Sequence, residues 1–143
     1  MKYLLDTNVV SEARKQPQRR DPQFHEWIST VSASEAAISI ITLGELLAGV
    51  IRLEHKDKVQ GAKLRSWYTN GFLGTFSQRL LPITREIAEI EATLQVPNPR
   101  PKADALIGAT TRSHRLILVT RNVADFIGMG IAWVNPWTGE SDL

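Results

Sequence analysis

Short apolar runs rich in β-branched residues alternate with helical patterns along this chain, and that alternation leaves few folds open. Tyr3 to Leu5, Ala37 to Ile41, Leu80 to Ile83, Leu116 to Val119 and Ile131 to Val134 are too short for helices and read as strands. Between them, Leu43, Leu46, Leu47 and Val50 recur at i, i+3, i+4 and i+7, a spacing that predicts an amphipathic helix from Leu43 to about Leu53. Ile87, Ile90 and Leu94 predict another. A further helix is expected from near Asp104, where Ala105, Gly108 and Ala109 are small enough to lie close against a sheet. Phe24 to Ile28 and Ala62 to Tyr68 also read as helical. The expected fold class is α/β: one domain over residues 1–143, with a central, mostly parallel sheet of about five strands and helices on both faces.

Two segments interrupt the alternation. Pro97-Asn98-Pro99-Arg100-Pro101-Lys102 is read as a stiff loop, because each proline also pushes the residue before it out of the α region. Arg14 to Asp21, with Arg14, Lys15, Arg19 and Arg20 around Pro17, reads as an exposed basic turn.

Composition excludes several kinds of chemistry. With no Cys, disulfides, thiolate nucleophiles and Cys-based zinc sites are ruled out together, and a reducing compartment is the natural expectation. The apolar fraction of 43% suffices for one core, and a net charge of +2 permits nucleic-acid contact without demanding it. The opening Met1-Lys2-Tyr3-Leu4-Leu5-Asp6 meets charge too early for a signal-peptide core, and no apolar run approaches the roughly 20 residues that cross a bilayer. A soluble cytoplasmic protein with no membrane contact is expected.

Four acids, Asp6, Glu45, Asp104 and Asp125, stand where apolar runs give way to polar turns or helix starts. An open α/β sheet gathers such positions at one edge, because the carboxyl ends of parallel strands converge there. Carboxylates so gathered raise one another's pKa values, which a cation such as Mg²⁺ or Mn²⁺ would offset. Metal-dependent phosphoryl transfer is the chemistry this pattern favours. Each acid also has a plain structural role open to it. Thr42-Leu43-Gly44-Glu45 matches a capping box, Asp104 and Asp6 could cap helices, and Asp125 could be a solvated loop residue.

Leu4-Leu5-Asp6-Thr7-Asn8-Val9-Val10-Ser11-Glu12 resembles the first motif of PIN-domain nucleases, in particular the VapC toxins and their FitB-like branch. Ile41-Thr42-Leu43-Gly44-Glu45-Leu46 with Gly49 is similar to the second motif, Asp104 to Thr110 to the third, Leu118 to Phe126 to the fourth, and Val134-Asn135-Pro136-Trp137 to the closing strand and tail. The resemblance implies that Asp6, Glu45 and Asp104 surround one or two Mg²⁺ or Mn²⁺ ions. It leaves open whether Asn122 or Asp125 completes the set, and it makes Thr7, Asn8, Thr120 and Asn122 supporting groups. It implies an endoribonuclease leaving 5′-phosphate and 3′-hydroxyl ends. The implied partners are an RNA substrate, a VapB-like antitoxin, a second copy of the chain in a homodimer, and DNA only through the antitoxin complex.

RNA grip is expected from Arg14, Lys15, Arg19, Arg20, Arg100, Lys102 and Arg121, with Trp27, Trp67, Tyr68, Trp133 and Trp137 as possible stacking platforms or core. His25, His55 and His114 lack motif spacing and read as surface or packing residues. Other functions compatible with the acids are a PIN-type RNA-processing enzyme without antitoxin, a phospho-acceptor domain built on Asp6, and a non-catalytic module whose acidic pocket receives a basic segment.

Overall fold

The three central strands of this protein bury both faces, and the alternation of their side chains shows how. The computed structural model describes residues 1–143. Strands β1 (Tyr3–Leu5), β2 (Ala36–Ser39), β3 (Leu80–Leu81), β4 (Ile117–Val119) and β5 (Ala132–Val134) form one parallel sheet in the order β3-β2-β1-β4-β5. Successive side chains point to opposite faces of a strand. Leu5, Ala36, Ile38 and Val119 therefore join one core cluster with Phe24, Val50 and Phe72, while Leu4, Ala37 and Leu118 join a second with Ile87, Ile107 and Met129.

Helices close each face. The first cluster is covered by α1 (Thr7–Arg14), α2 (Pro22–Ile28), α3 (Ile40–Lys56) and α4 (Lys58–Ser66), and the second by α6 (Arg85–Leu94) and α7 (Lys102–Ser113). Between α4 and the short α5 (Leu73–Phe76) runs a wide π-helical stretch, Trp67–Phe72. The α3–α4 hairpin is tight: a Cβ on Gly61 would lie 2.5 Å from the Glu54 Cα. Across that contact Arg65 binds Glu54 through two hydrogen bonds of 2.9 and 2.8 Å, which hold the Glu54 carboxyl below its usual range. At Gly108 a Cβ would meet the Met129 sulfur at 2.2 Å, so the small residue admits the loop before β5 rather than a strand.

Several expected boundaries move, the third strand, for one, ending at Leu81 and not Ile83. The second strand stops at Ser39, not Ile41, because the Ser39 hydroxyl accepts the Ile41 amide and starts α3 at Ile40. That cap corrects the capping box expected at Thr42 and Glu45, since both lie inside the helix. Asp104 is likewise not the cap of α7: Pro101 precedes the helix and Asp104 falls in its first turn. Lys102 begins that helix instead of ending the proline loop. No helix of the protein is long and apolar enough to cross a membrane.

Candidate active site at the carboxyl edge of the sheet

The sheet departs in two directions from β1, toward β2 and β3 on one side and toward β4 and β5 on the other. The crevice between the carboxyl ends of β1 and β4 is the switch point at which open α/β sheets take ligands. Asp6 follows β1 and Thr120 follows β4, so both meet there. Asp6 is the N-cap of α1 and is buried, with three donors on its carboxylate. The Thr7 amide donates to Oδ1 at 2.8 Å, and the Asn8 side-chain amide and the Thr120 hydroxyl donate to Oδ2 at 3.2 and 2.8 Å. Thr120, fully buried, in turn accepts the Asn122 backbone amide at 3.0 Å. Asn8 also accepts the Arg121 amide, which ties the turn after β4 to α1.

Glu45 reaches this crevice from the second turn of α3. Its Oε1 accepts the Thr7 hydroxyl at 2.6 Å, while the same hydroxyl lies 3.2 Å from that of Thr42. Asp104 approaches from α7 and Asp125 from a 3₁₀ turn, Val123–Phe126. Burial raises the Asp104 carboxyl above its ordinary value of 3.8, and the charges of Asp125, Asp6 and Glu45 raise it further, in that order. Burial also lifts Asp6 above 3.8; its hydrogen bonds from Thr120, Thr7 and Asn8 oppose this without cancelling it, and Glu45 adds to it. Four carboxylates from four separated segments thus act on one another across a shared space. Of the two alternatives for the fourth position, Asp125 brings its charge to Asp104, whereas Asn122 contributes its backbone N–H to Thr120.

The pocket offers only oxygen ligands, from carboxylates, the Thr7 hydroxyl and the Asn8 amide. Such a set fits a hard divalent cation like Mg²⁺ or Mn²⁺ and suits softer metals poorly. In the observed rotamers no three of the acids close on one point at ligating distance. Glu45 and Asp125 are exposed, while Asp6 is buried and held by its three donors.

The expected basic contacts divide sharply. Lys15 pairs with Glu12 at 2.9 Å and Lys102 pairs with buried Glu91. Arg20 donates to the carbonyls of Lys15 and Ala13, and Arg100 to that of Leu94. Those four are committed within the fold. Arg19 is exposed, Arg121 lies over Trp137, and Arg14 lies over Trp67. His25 sits beside Arg20, while His55 and His114 are exposed at helix ends away from the acids. Trp27 and Trp137 pack on Tyr3 and Phe24. Sequence reasoning passed over Arg52, which shares a cleft with Thr7, Arg14, Glu45 and Trp67. Its signal was present: Glu45, Gly49 and Arg52 fall at i, i+4 and i+7 on one face of α3.

Thr120 offers a clean test of how Asp6 is held. Thr120→Val keeps the buried shape but removes one donor, so any activity that depends on Asp6 should fall by about 10- to 100-fold. The fold should lose only about 1–2 kcal/mol, read from chemical denaturation.

A parallel sheet with an acidic, oxygen-only pocket over its switch point defines an α/β domain whose site is built from carboxylates. The PIN domain model matches residues 3–126, and the chain belongs to the PIN-domain family. It is 32% identical over 140 residues to toxin FitB of Neisseria gonorrhoeae, an alignment covering 94% of this chain and 97% of that protein. It is 40% identical over 76 residues to ribonuclease VapC14 of Mycobacterium tuberculosis, covering 53% of this chain and 72% of that one. Among solved structures, FitAcB from Neisseria gonorrhoeae superposes with a TM-score of 0.85 at 28% identity, covering 94% of this chain and 98% of that chain.

Proposed function

We propose that this protein is a divalent-metal-dependent endoribonuclease acting as the toxin of a toxin–antitoxin pair. What supports the reading is that Asp125, Asp6 and Glu45, from three other segments, lie near enough to Asp104 for their charges to raise it, at the switch point of a PIN domain. The similarity to proteins named toxin FitB and ribonuclease VapC14 supports the biological half of it.

Asp6, Glu45 and Asp104 would hold a Mg²⁺ or Mn²⁺ ion, with Asp125 beside Asp104 completing the set. Such an ion supplies an acidified water and offsets charge building on the phosphate. The rest of the work belongs to the chain. Three donors fix the Asp6 carboxylate before any ligand arrives, so little rotamer entropy is lost when it binds. The Thr7 hydroxyl spans from the α1 N-terminus to Glu45 and keeps the two acids in register. The His residues do not approach the acids and the chain has no Cys, so an imidazole base or a thiolate nucleophile is not on offer there. A phospho-acceptor reading would need a free Lys at the acids, and Lys15 and Lys102 are held by Glu12 and Glu91. The antitoxin would inhibit by covering the acids with a basic segment, since Arg binds carboxylates bidentately.

Purified protein should cleave RNA with Mg²⁺ or Mn²⁺, leave 5′-phosphate and 3′-hydroxyl ends, and stop on addition of EDTA. Glu45→Gln should cut the rate by about 10²–10³-fold. Because Glu45 is exposed and caps nothing, its stability should shift by less than about 0.5 kcal/mol. Cleavage that continues unchanged in EDTA, or in Glu45→Gln, would overturn the proposal.

A further inference from the structure

A glycine sits mid-helix in α3 with no packing reason to be there. A Cβ on Gly49 would meet no atom within 4 Å, so nothing in the fold forbids an alanine there, and glycine weakens a helix interior. What Gly49 does is leave open the floor of a cleft of about 330 Å³ between α1, α3 and α4. Thr7 and Glu45 belong to that cleft, which therefore opens directly onto the acids.

Two guanidinium groups line it, Arg14 from the end of α1 and Arg52 from α3. Neither takes part in any of the protein's ion pairs or side-chain hydrogen bonds, unlike Lys15, Arg20, Arg65, Arg79, Arg85, Arg100 and Lys102. Glu45 is close by, yet its carboxylate takes the Thr7 hydroxyl instead of either Arg. Trp67 forms the far wall, with the Arg14 guanidinium carbon 5.7 Å from its ring centroid. It is presented by the π-helical stretch, a rare turn found often at functional sites, and a Cβ on Gly71 would lie 3.0 Å from its Cδ1.

We propose that this cleft receives a single unpaired nucleotide next to the cleaved phosphate, with Arg14 and Arg52 gripping its phosphate and Trp67 stacking its base. The base must be unpaired, because one already paired in a duplex cannot be splayed onto the indole. Guanidinium forks match phosphate oxygens, and an aromatic wall with Arg beside it is a sequence-tolerant stacking platform. An acidic protein segment would satisfy the two cations but would leave Trp67 and the leucines around it without a partner of matching shape.

The inference rests on the nuclease reading, and binding separates the two. A short fluorescein-labelled RNA oligonucleotide, single-stranded or annealed to its complement, is titrated by anisotropy into Asp104→Asn protein. The single strand should bind at least tenfold tighter than the duplex. Arg52→Ala, an exposed change, should weaken single-strand binding about tenfold and reduce the slope of log affinity against log salt by about 0.7. Gly49→Leu should melt at the same temperature or higher while binding at least tenfold more weakly, because it fills the cleft and strengthens the helix. Trp67→Phe should retain most of the stacking that Trp67→Ala loses. Equal affinity and equal salt slope in Arg52→Ala and Gly49→Leu would overturn the inference, as would undetectable single-strand binding. Poly-glutamate competing as well as RNA would also overturn it, in favour of an acidic protein segment. If these binding effects appear in a protein that cuts no RNA, the cleft stands and the nuclease reading falls.

Discussion

Asp104→Asn is expected to silence the protein and stabilise it at once. The variant removes one of the oxygens proposed to hold the cation and should lower RNA cleavage by about 10²–10³-fold. Its effect on stability has the opposite sign because of the pocket's electrostatics. Burial and the charges of Asp125, Asp6 and Glu45 raise the Asp104 carboxyl in the folded protein above its ordinary 3.8. The folded state therefore binds that proton more tightly than the unfolded chain does, and stability is lost as pH rises from 3.8 through the folded pKa. At neutral pH the full penalty is present. Asn does not titrate, so Asp104→Asn should melt a few degrees higher than the natural sequence at pH 7, roughly 2–5 °C. That gain should shrink toward zero below pH 4 and also shrink when Mn²⁺ is added to the parent protein. A variant that melts lower at pH 7, or whose difference from the parent does not vary with pH, would show that Asp104 is not under carboxylate repulsion. Stability gained by losing activity is the expected signature of residues held together for function.

The sheet was legible because its cause is local. Leu4, Leu5, Ala36 to Ile38 and Leu118 are apolar on both faces, and only a parallel sheet covered by helices on each side buries both. Asp6 was legible as a cap for the same reason: its partner is the next residue's amide. Misreadings arose where two local patterns competed for one stretch. Ile40 and Ile41 favour a strand by side chain, but Ser39 adopts φ −70° and ψ 144° and caps the helix. Thr42 and Glu45 have capping-box spacing and yet sit inside a helix that already has a cap. That Asp6 and Thr120 lie together followed from topology, since the carboxyl ends of parallel strands share an edge, whereas the pairing of cations did not. Whether a Lys or Arg is free depends on which carboxylate lies across from it, and Lys102 and Glu91 are eleven positions apart on different helices. Arg14, Arg52 and Trp67 meet for the same long-range reason, so neither the basic turn nor the aromatic content pointed to their cleft.

Lys102→Met should be the most destabilising exposed substitution in the site's surroundings, although the sequence suggests an RNA contact there. Glu91 is 3% exposed, and what neutralises its Oε1 is the Lys102 ammonium, in ionic contact from the first turn of α7. Removing one partner of a buried pair leaves an uncompensated charge and costs about 3–5 kcal/mol. Lys102 is itself largely exposed, so water relieves part of that cost and the lower end, about 3 kcal/mol, is expected, or roughly a 10 °C fall in Tm. The contact also pins α7 against α6 two residues before Asp104, so the acid's approach to the pocket depends on it. An RNA-binding role would produce the reverse result, an unchanged Tm with weaker RNA affinity and a shallower salt slope. Adding Glu91→Gln to Lys102→Met removes the stranded charge, and the double variant should recover most of the lost stability. If it remains as unstable as the single variant, the cost lies in lost packing of the lysine stem and not in a buried carboxylate left alone.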